Sequence, residues 1–403
     1  MSFKSQRQRG DKKLEPGILP TDVGDPSESR CRPGRNAISR NVPSAMMNGP
    51  IVTLGTMRTS LQSFSMFTIV LMFLVSSGWS QTLDFRSHDW PDSILLPEGF
   101  EPEGIELGRG HDFFAGGFSI SSFLGPIVDL PHDVSLYAGA IYKGDLQTGK
   151  GMILVPPSAT GRMIAGLSYD RRTDYIYAAT GDPAAIGEFR MNLGVVIYNG
   201  TSGDKVDEII FGDGIGVNDI LVTESAVFAT DSTRAVIYKI PLENGGRLPL
   251  PPVFETVELT GPGVGPRNNG LVGSFDGNDL VVINDTSGIL YHVDTQSGAA
   301  TPLEILGDEG LFVNGDGLYL SGRTLYIMQN FDNKIAVVNL SGDLSWGKFV
   351  KNLVSDDFRT PTTILGFGDS IYAVNSHVLF DGSAEDVIFN SGTVTCEVVK
   401  VHK

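Results

Sequence analysis

A repeated pattern of short β-type segments constrains this chain more than any other feature. After residue 90, apolar runs alternate with Gly, Asp and Asn turns, and no helical period is evident. Each clear repeat has a polar residue, a first strand, a turn, and two further strands. Three fragments show this pattern best: "NDILVTESAVFATDSTRAVIYKI" from Asn218, "NGLVGSFDGNDLVVINDTSGILYHVD" from Asn269 and "DGLYLSGRTLYIMQNFDNKIAVVNL" from Asp316.

The same pattern fits three further places, which makes six units. Most units also have a fourth β-type run, such as "GMILV" at 151 and "TPLEIL" at 301, and the sixth unit ends with the chain. Four-stranded units that recur every ~40–50 residues are typical of β-propeller blades. The alternative is a set of stacked β-sandwiches with coincidental spacing. The six units begin at Glu103, Ala165, Asn218, Asn269, Asp316 and Thr362.

One spare β-type segment, "DSILLP" at 92, precedes the first unit. A ring of blades must pair its two ends, because an unpaired edge strand is prone to aggregate. We therefore predict an all-β protein, a six-bladed β-propeller over residues 91–403. Its blades are four-stranded, and the N-terminal strand completes the last blade. The propeller is one domain, although the length of 403 residues alone suggests two or three.

The N-terminal region has a different character. Residues 57–80 read "MRTSLQSFSMFTIVLMFLVSSGWS", with a short basic start, an apolar run over 64–75 and small polar residues after it. This layout favours a secretory signal peptide and hence a secreted, extracellular protein. The alternative is an uncleaved signal-anchor over 61–79 that tethers the protein to a membrane. Residues 1–56 are interpreted as a disordered extension or a mis-called start.

The charge distribution excludes one class of partner. The chain carries a net charge of −17, while residues 1–80 contribute +5, so residues 81–403 carry −22. A strongly acidic body repels phosphate backbones, and we expect no nucleic-acid partner. The same charge favours cations. Nothing in the composition indicates an oligomeric state.

Propeller geometry places four polar residues at one end of the central channel. The first strand of each blade is innermost, so the six unit starts are related by the symmetry of the ring. Four of them carry carboxylate or amide oxygens: Glu103, Asn218, Asn269 and Asp316. Converging oxygen ligands predict one divalent cation, for which Ca²⁺ is favoured and Zn²⁺, Mn²⁺ or Mg²⁺ are the other candidates.

The alternative for each of these residues is ordinary turn chemistry, since Asn-Gly and Asp-Gly steps are common in turns. In "NNGL", this interpretation assigns Gly270 to a turn and Asn268 to its cap. The ends of the second strands add further polar groups at the same face. They are interpreted as groups that orient the ligands or meet the substrate, or as solvated turn residues. These residues are Asp231, Asp285, Asn330 and Asn375.

From about residue 91 to 403, the chain resembles the senescence-marker-protein, gluconolactonase and LRE-like family of six-bladed propellers. The resemblance depends on "PEGI" at Glu103, "VNDI" at Asn218, "NNGL" at Asn269 and "GDGL" at Asp316. It implies that Glu103, Asn269 and Asp316 hold a metal ion. It also implies that Asn218 approaches the metal or the substrate.

The sequence departs from the family at two positions. Gly216 stands where the lactonases carry an arginine that meets the substrate, and Ile105 stands where they carry a bulky aromatic residue. The resemblance implies a metal-dependent hydrolase of a lactone or related ester, acting on a small molecule with Asp316 as the base. The alternative is a non-catalytic propeller with a structural ion, whose upper face binds a partner or a small ligand.

Overall fold

The structure is a computed structural model that describes residues 90–119, 136–159, 162–181, 194–212, 216–307, 311–377 and 395–403. The predicted N-terminal extension, the signal peptide and the alternative anchor over 61–79 lie outside these residues. Within the described part of the chain, no helix is long and apolar enough to cross a membrane.

The described residues are all-β and form six sheets, which are the six blades of a propeller. The sequence-based prediction of the fold is therefore confirmed. Blade 1 consists of β2 (Pro102–Leu107), β3 (Asp112–Gly117), β4 (Ile141–Asp145) and β5 (Gly151–Val155). Blade 2 consists of β6 (Met163–Asp170), β7 (Tyr175–Gly181), β8 (Gly194–Asn199) and β9 (Lys205–Ile210). Blade 3 consists of β10 (Val217–Val222), β11 (Ala226–Asp231), β12 (Val236–Pro241) and β13 (Glu255–Glu258).

The remaining three blades follow in chain order. Blade 4 consists of β14 (Asn268–Gly273), β15 (Asp279–Asn284), β16 (Leu290–Asp294) and β17 (Ala300–Pro302). Blade 5 consists of β18 (Glu304–Leu306), β19 (Gly315–Ser321), β20 (Thr324–Gln329), β21 (Lys334–Leu340) and β22 (Trp346–Val354). Blade 6 consists of β23 (Pro361–Phe367), β24 (Ser370–Asn375), β25 (Glu397–His402) and the N-terminal strand β1 (Ser93–Leu95).

The first strand of each unit is the inner strand of its blade. Successive inner strands pack against one another from β2 through β6, β10, β14 and β19 to β23, and β23 packs against β2. The ring is thus closed around a central channel. Its upper end is defined here as the end where the inner strands begin, and its lower end as the end where they finish.

The N-terminal strand closes the ring as predicted. Strand β1 pairs antiparallel with β25, with Ile94 opposite Val398. Lys400 adds a second link, because its buried ammonium group donates to the Trp90 carbonyl at 2.6 Å and pairs with Asp92 at 2.8 Å. The first and last described segments of the chain therefore share one blade.

Blade 5 has a fifth strand that the sequence pattern did not predict. The run "TPLEIL" at 301 was interpreted as the fourth strand of one unit. In the structure, β17 ends at Pro302 in blade 4, whereas β18 pairs in parallel with β22 of blade 5. The run therefore crosses between two blades, and β18 covers the outer edge of β22, which would otherwise be unpaired.

The hydrophobic core consists of six layers, each between two neighbouring blades. The layer between blades 6 and 1 shows the role of the closing strand. Ile94 is 2% exposed and packs there with residues of both blades, including Phe100 and Tyr372. Its neighbour Leu95 is 67% exposed on the other side of the same strand. Because side chains alternate between the two faces of β1, Ile94 points into the layer between blades 6 and 1, where it stabilises the closed ring.

The inner strands approach one another closely at the "NG" and "DG" steps. A Cβ atom at Gly270 would clash with the Asp316 carbonyl oxygen, and one at Gly317 would lie 2.7 Å from the Thr363 Cα atom. Gly270 lies within β14 and does not adopt a positive φ. The interpretation of "NNGL" as a turn is therefore wrong for Gly270. The glycine is needed because the neighbouring backbone leaves no room for a side chain.

Truncation of the closing strand's buried residue should destabilise the ring. We expect Ile94→Ala to lower the free energy of unfolding by about 2–5 kcal/mol, because it leaves a cavity between blades 6 and 1. Leu95→Ala is the matched control on the same strand and should change it by less than ~0.5 kcal/mol. Chemical denaturation of both variants measures the difference. Equal effects would contradict the assigned role of β1.

A second pair of variants tests the close approach of the inner strands. Gly270→Ala should destabilise the protein by about 1–3 kcal/mol or more, because the added methyl group meets fixed backbone. At Gly265, five residues earlier, a Cβ atom meets nothing within 4 Å. Gly265→Ala should therefore have little effect in the same thermal or denaturant unfolding measurement. A neutral Gly270→Ala would show that β14 and β19 can separate.

Candidate functional site

All six inner strands carry the same irregularity near their upper ends. In each blade, the register between the inner strand and the second strand shifts at one point. Between the paired residues on either side of this point, the inner strand contains one residue more than the second strand. Such β-bulges re-aim side chains and are common beside functional sites. The four predicted ligands lie at these bulges, on blades 1, 3, 4 and 5: Glu103, Asn218, Asn269 and Asp316.

Asp316 is held by two amide side chains. Asn330 Nδ2 donates to Asp316 Oδ2 at 2.9 Å, and the Asn269 side chain also donates to the Asp316 carboxyl group. Asn330 was predicted to orient the ligands or meet the substrate, and it lies at the end of β20 in the same blade. Asp316 is 5% exposed and Asn269 is 8% exposed, so the carboxyl group has lost most of its water.

Glu103 and Asp316 influence each other through their charges. Burial raises the pKa of Glu103 well above its usual range, and the nearby carboxyl groups of Asp316 and Asp219 raise it further. Blade 6 separates blades 1 and 5, and blade 2 separates blades 1 and 3. The charge interaction among the three carboxyl groups therefore crosses between blades that are not neighbours.

Two buried oxygen atoms at this end of the channel have no hydrogen-bond partner among the described residues. They are Glu103 Oε2 and Asn218 Oδ1. The orientation of Asn218 is fixed, because its Nδ2 donates to Ser232 Oγ at 2.9 Å. Ser232 Oγ in turn donates to the Asn268 carbonyl at 2.8 Å. Unpaired buried acceptors are costly, and both are of the type that hard cations bind.

The pKa of Asp316 is raised to about 8, chiefly by burial, and Asp219 and Asp285 raise it as well. The hydrogen bonds from Asn330 and Asn269 oppose this shift. Without a positive charge nearby, the Asp316 carboxyl group therefore holds a proton at neutral pH. A bound cation would stabilise the charged form instead. The two unpaired oxygens and the crowded carboxyl groups fit a cation site.

Asp219 is a site residue that the sequence interpretation missed. Its Oδ1 accepts from the Ile220 amide at 2.9 Å and its Oδ2 from the Leu271 amide at 3.3 Å. Burial raises the pKa of Asp219 to about 7, although both hydrogen bonds lower it. A signal was present in the sequence: in "VNDI", Asp219 occupies the bulge position where glycine stands in "PEGI", "NNGL" and "GDGL".

The other residues predicted at the ends of the second strands have different surroundings. Asp285 pairs with Arg267 at 2.9 Å and acts on Asp316 only through its charge. Asp231 is fully buried and accepts hydrogen bonds from Tyr238 Oη at 3.0 Å and from the Thr233 amide at 2.8 Å.

Asn375, the last of this set, is also fully buried. Its Oδ1 accepts from the Arg359 amide at 3.0 Å, and its Nδ2 donates to Glu397 Oε1 at 2.6 Å and to the Asp357 carbonyl at 2.8 Å. These contacts anchor the segment before β23. Asp231 and Asn375 are thus neither solvated nor shown to touch the four predicted ligands.

Within the described residues, no group of three or more His, Cys, Asp and Glu side chains is arranged to hold a metal ion. The predicted set differs from such a group because it combines two carboxylates with two amides. The cation, and the assignment of its ligands, stay predictions.

No protein-family model and no curated protein matches the chain. Solved structures with similar folds include the major allergen Mala s 1 of Malassezia sympodialis. It is 14% identical, with a TM-score of 0.56, over 77% of this chain and 96% of that one. At this identity the similarity shows the fold alone.

Enzymes are also among the similar structures, with lower scores. A luciferin-regenerating enzyme is 10% identical over 77% of this chain and 95% of that one, with a TM-score of 0.48. Virginiamycin B lyase from Staphylococcus aureus is 15% identical over 70% of this chain and 80% of that one, with a TM-score of 0.44.

The raised carboxyl pKa values predict an unusual pH dependence of stability in the presence of a chelator. Raised pKa values mean that the folded state holds protons which the unfolded state has released. Stability is therefore highest below the unfolded pKa of about 4 and falls as pH rises towards about 8, by ~1.4 kcal/mol per pH unit for each such carboxyl group.

Asp316→Asn should flatten this dependence and make the metal-free protein more stable at neutral pH. Denaturant unfolding between about pH 5 and pH 8 measures the slope. Asp356→Asn, a change at an exposed carboxyl group, is the control and should leave the slope unchanged. If stability instead rises with pH in both the parent and the Asp316→Asn variant, the carboxyl groups do not share a water-poor channel.

Proposed function

We propose that the upper end of the channel is the active site of a divalent-metal-dependent hydrolase of a lactone or related ester. The observation that carries the proposal is a pair of buried oxygens without a hydrogen-bond partner in the part of the chain that the structure describes, Glu103 Oε2 and Asn218 Oδ1, at the same end of the channel as Asp316. The resemblance to the senescence-marker-protein, gluconolactonase and LRE-like family supports the same reaction class.

Four residues would hold the cation: Glu103, Asn218, Asn269 and Asp316. When bound, a divalent cation supplies positive charge that polarises a carbonyl oxygen and lowers the pKa of a water molecule. The protein's own part is to present oxygens without competing donors. Glu103 Oε2 and Asn218 Oδ1 do so because neither accepts a hydrogen bond from any described residue.

Asp316 is the proposed proton acceptor. Its carboxyl group is fixed by Asn330 and Asn269, so it need not be ordered when substrate binds. A bound cation would favour the ionised form of this carboxyl group, which is the form that accepts a proton. The mostly buried surroundings also strengthen its electrostatic interactions with a substrate.

The two departures from the family favour a substrate other than a sugar lactone. A Cβ atom at Gly216 would lie 2.7 Å from Thr233 Cγ2 and 3.2 Å from Asp231 Oδ1, so an arginine at this position would require the Thr233 side chain to shift. Ile105 is 2% exposed and packs in the core layer between blades 6 and 1. Position 216 therefore lacks the arginine that meets the substrate in the lactonases, and position 105 lacks their bulky aromatic residue. The proposed substrate class is kept at lactones and related esters.

Cation binding is the first test of this proposal. Calorimetric titration with Ca²⁺, Mg²⁺, Mn²⁺ and Zn²⁺ should show one site. Glu103→Gln and Asp316→Asn should each weaken binding by about 100-fold or more, since loss of even an outer partner of a metal ligand costs about 10- to 100-fold. Glu304→Gln changes an exposed carboxylate on β18 and is the control.

Hydrolysis is the second part of the same test. A screen of lactones and aryl esters should show turnover that a chelator removes and the preferred cation restores. Asp316→Asn should reduce the rate by about 100-fold or more, the upper part of the range for general acid-base catalysis. Cation binding without any hydrolysis would instead support the non-catalytic propeller. Absence of cation binding would overturn the proposal.

A further inference from the structure

Three asparagines of the chain stand in the sequence Asn-x-Ser/Thr, where x is not proline. They are Asn199, Asn284 and Asn339. This pattern is the acceptor for N-linked glycans in proteins of the secretory pathway. The pattern also arises by chance, so the sequence alone does not show which asparagine carries a glycan. The fold adds two conditions: the side-chain nitrogen Nδ2 must reach solvent, and its surroundings must leave room for a sugar.

Asn339 lies on an exposed face of blade 5. Its neighbours along β21, Val338 and Leu340, are 0% and 3% exposed and pack in the layer between blades 4 and 5. Side chains alternate along a strand, so Asn339 points to the other face, where it is exposed. Its Oδ1 accepts from Thr324 Oγ1 at 3.1 Å, and its Nδ2 is bonded to none of the described residues. The amide nitrogen is therefore available for modification.

The surface around Asn339 is a polar row that crosses four strands of blade 5. Asn339 lies opposite Thr324 of β20 and opposite Lys348 of β22, and Thr324 lies opposite Ser321 of β19. Residues directly opposite each other in antiparallel strands share a face of the sheet. Ser321, Asn339 and Lys348 are exposed, and Thr324 is half-buried. A glycan on Asn339 would lie over this row and would displace no core residue.

Asn199 is the last residue of β8 and begins the turn that leads to β9. Its half-buried side chain accepts hydrogen bonds at Oδ1 from the amides of Thr201 at 3.0 Å and Ser202 at 2.8 Å. Both of these residues are exposed. Within the described chain, Nδ2 of Asn199 has no hydrogen-bond partner. A glycan on Nδ2 leaves Oδ1 unchanged, so the turn would keep both hydrogen bonds.

Asn284 has neither an exposed side chain nor an unused Nδ2. It is 6% exposed, and its Nδ2 donates to the Pro266 carbonyl at 2.7 Å. Its Oδ1 accepts from the amide and from the hydroxyl group of Ser287, both at 2.9 Å. A sugar on Nδ2 would have to displace the residues that bury this side chain. The folded protein is therefore incompatible with a glycan at Asn284.

The two accessible asparagines lie at the lower end of the propeller. Each antiparallel pairing reverses the chain direction, so the third strand of a blade runs the same way as its inner strand. Asn199 ends the third strand β8, and Asn339 is the last residue but one of the third strand β21. Asn284 ends a second strand at the upper end, where it lies opposite Asn268. Glycans at the lower end would leave the upper end of the channel open.

We infer that this chain is an N-linked glycoprotein, modified at Asn339 and Asn199 and unmodified at Asn284. The donor is a lipid-linked oligosaccharide diphosphate, which the host's transferase uses. The transfer forms a bond between Nδ2 and the first carbon of the sugar and breaks the bond between that carbon and the diphosphate. Nδ2 gives up one proton, and the lipid diphosphate leaves. The inference depends on the predicted signal peptide over 57–80 and is independent of the proposed hydrolase.

Mass spectrometry of the secreted protein tests this inference. The full chain, with its own residues 1–80, is expressed in a eukaryotic host, and its peptides are compared before and after treatment with peptide N-glycosidase. This enzyme converts a glycosylated asparagine to aspartate. We expect conversion at positions 339 and 199 and none at position 284. Asn199 precedes a glycine and can deamidate spontaneously, so the sample without the enzyme is the control.

Matched variants assign each glycan. Asn339→Gln and Thr201→Ala each remove one acceptor pattern, so each should show an electrophoretic shift for the loss of one glycan, and the double variant should lose both. Thr201→Ser keeps the hydroxyl group and should keep the glycan on Asn199. Asn244→Gln changes an exposed asparagine outside any acceptor pattern and should leave the mobility unchanged.

Three results would overturn the inference: an unmodified Asn339, an unmodified Asn199, or a glycan at Asn284 in the secreted protein. A chain that stays inside the cell without any glycan would overturn it together with the predicted signal peptide. Enzymatic removal of the glycans should leave divalent-cation binding unchanged, because both asparagines lie away from the upper end. Absence of cation binding in a protein glycosylated as expected would refute the proposed function alone.

Discussion

The pairing of the N-terminal strand with the last blade is the interaction on which the rest of the structure depends. Strand β1 supplies the outer edge of blade 6, and Ile94 fills the layer between blades 6 and 1. Lys400 fastens the same join through Trp90 and Asp92. Closure brings β23 against β2, and only then do the six inner strands surround one axis. Every polar contact across the channel follows from that arrangement.

The second constraint is the bulge that all six inner strands share. It places an extra residue at the upper end of each strand, and it lets residues three apart both face the axis. The glycines that follow in "NNGL" and "GDGL" permit the close approach of neighbouring strands. Backbone geometry, rather than any single residue, thus creates the proposed cation site.

The sequence predicted the fold well because the signals were local and repeated. The alternation of apolar runs with turn residues and the length of the units predicted six blades. The spare segment at 92 predicted the closing strand. The interpretation was wrong where a local pattern had two tertiary solutions. "TPLEIL" was divided between two blades because β18 found a free edge on β22. Gly270 was assigned to a turn because Asn-Gly favours turns, whereas the contact that requires it is 46 residues away in the chain, at Asp316.

For the candidate site, the register of the repeat by itself determined that Glu103, Asn218, Asn269 and Asp316 occupy equivalent positions. It did not determine which carboxyl groups lose their water together. Only the tertiary structure brought Asp219 close enough to raise the pKa of Glu103, and only there do Glu103 Oε2 and Asn218 Oδ1 lack a partner among the described residues. The physical reason is that burial and charge interactions depend on distances across the channel, which the closed packing of six blades sets and no local segment encodes.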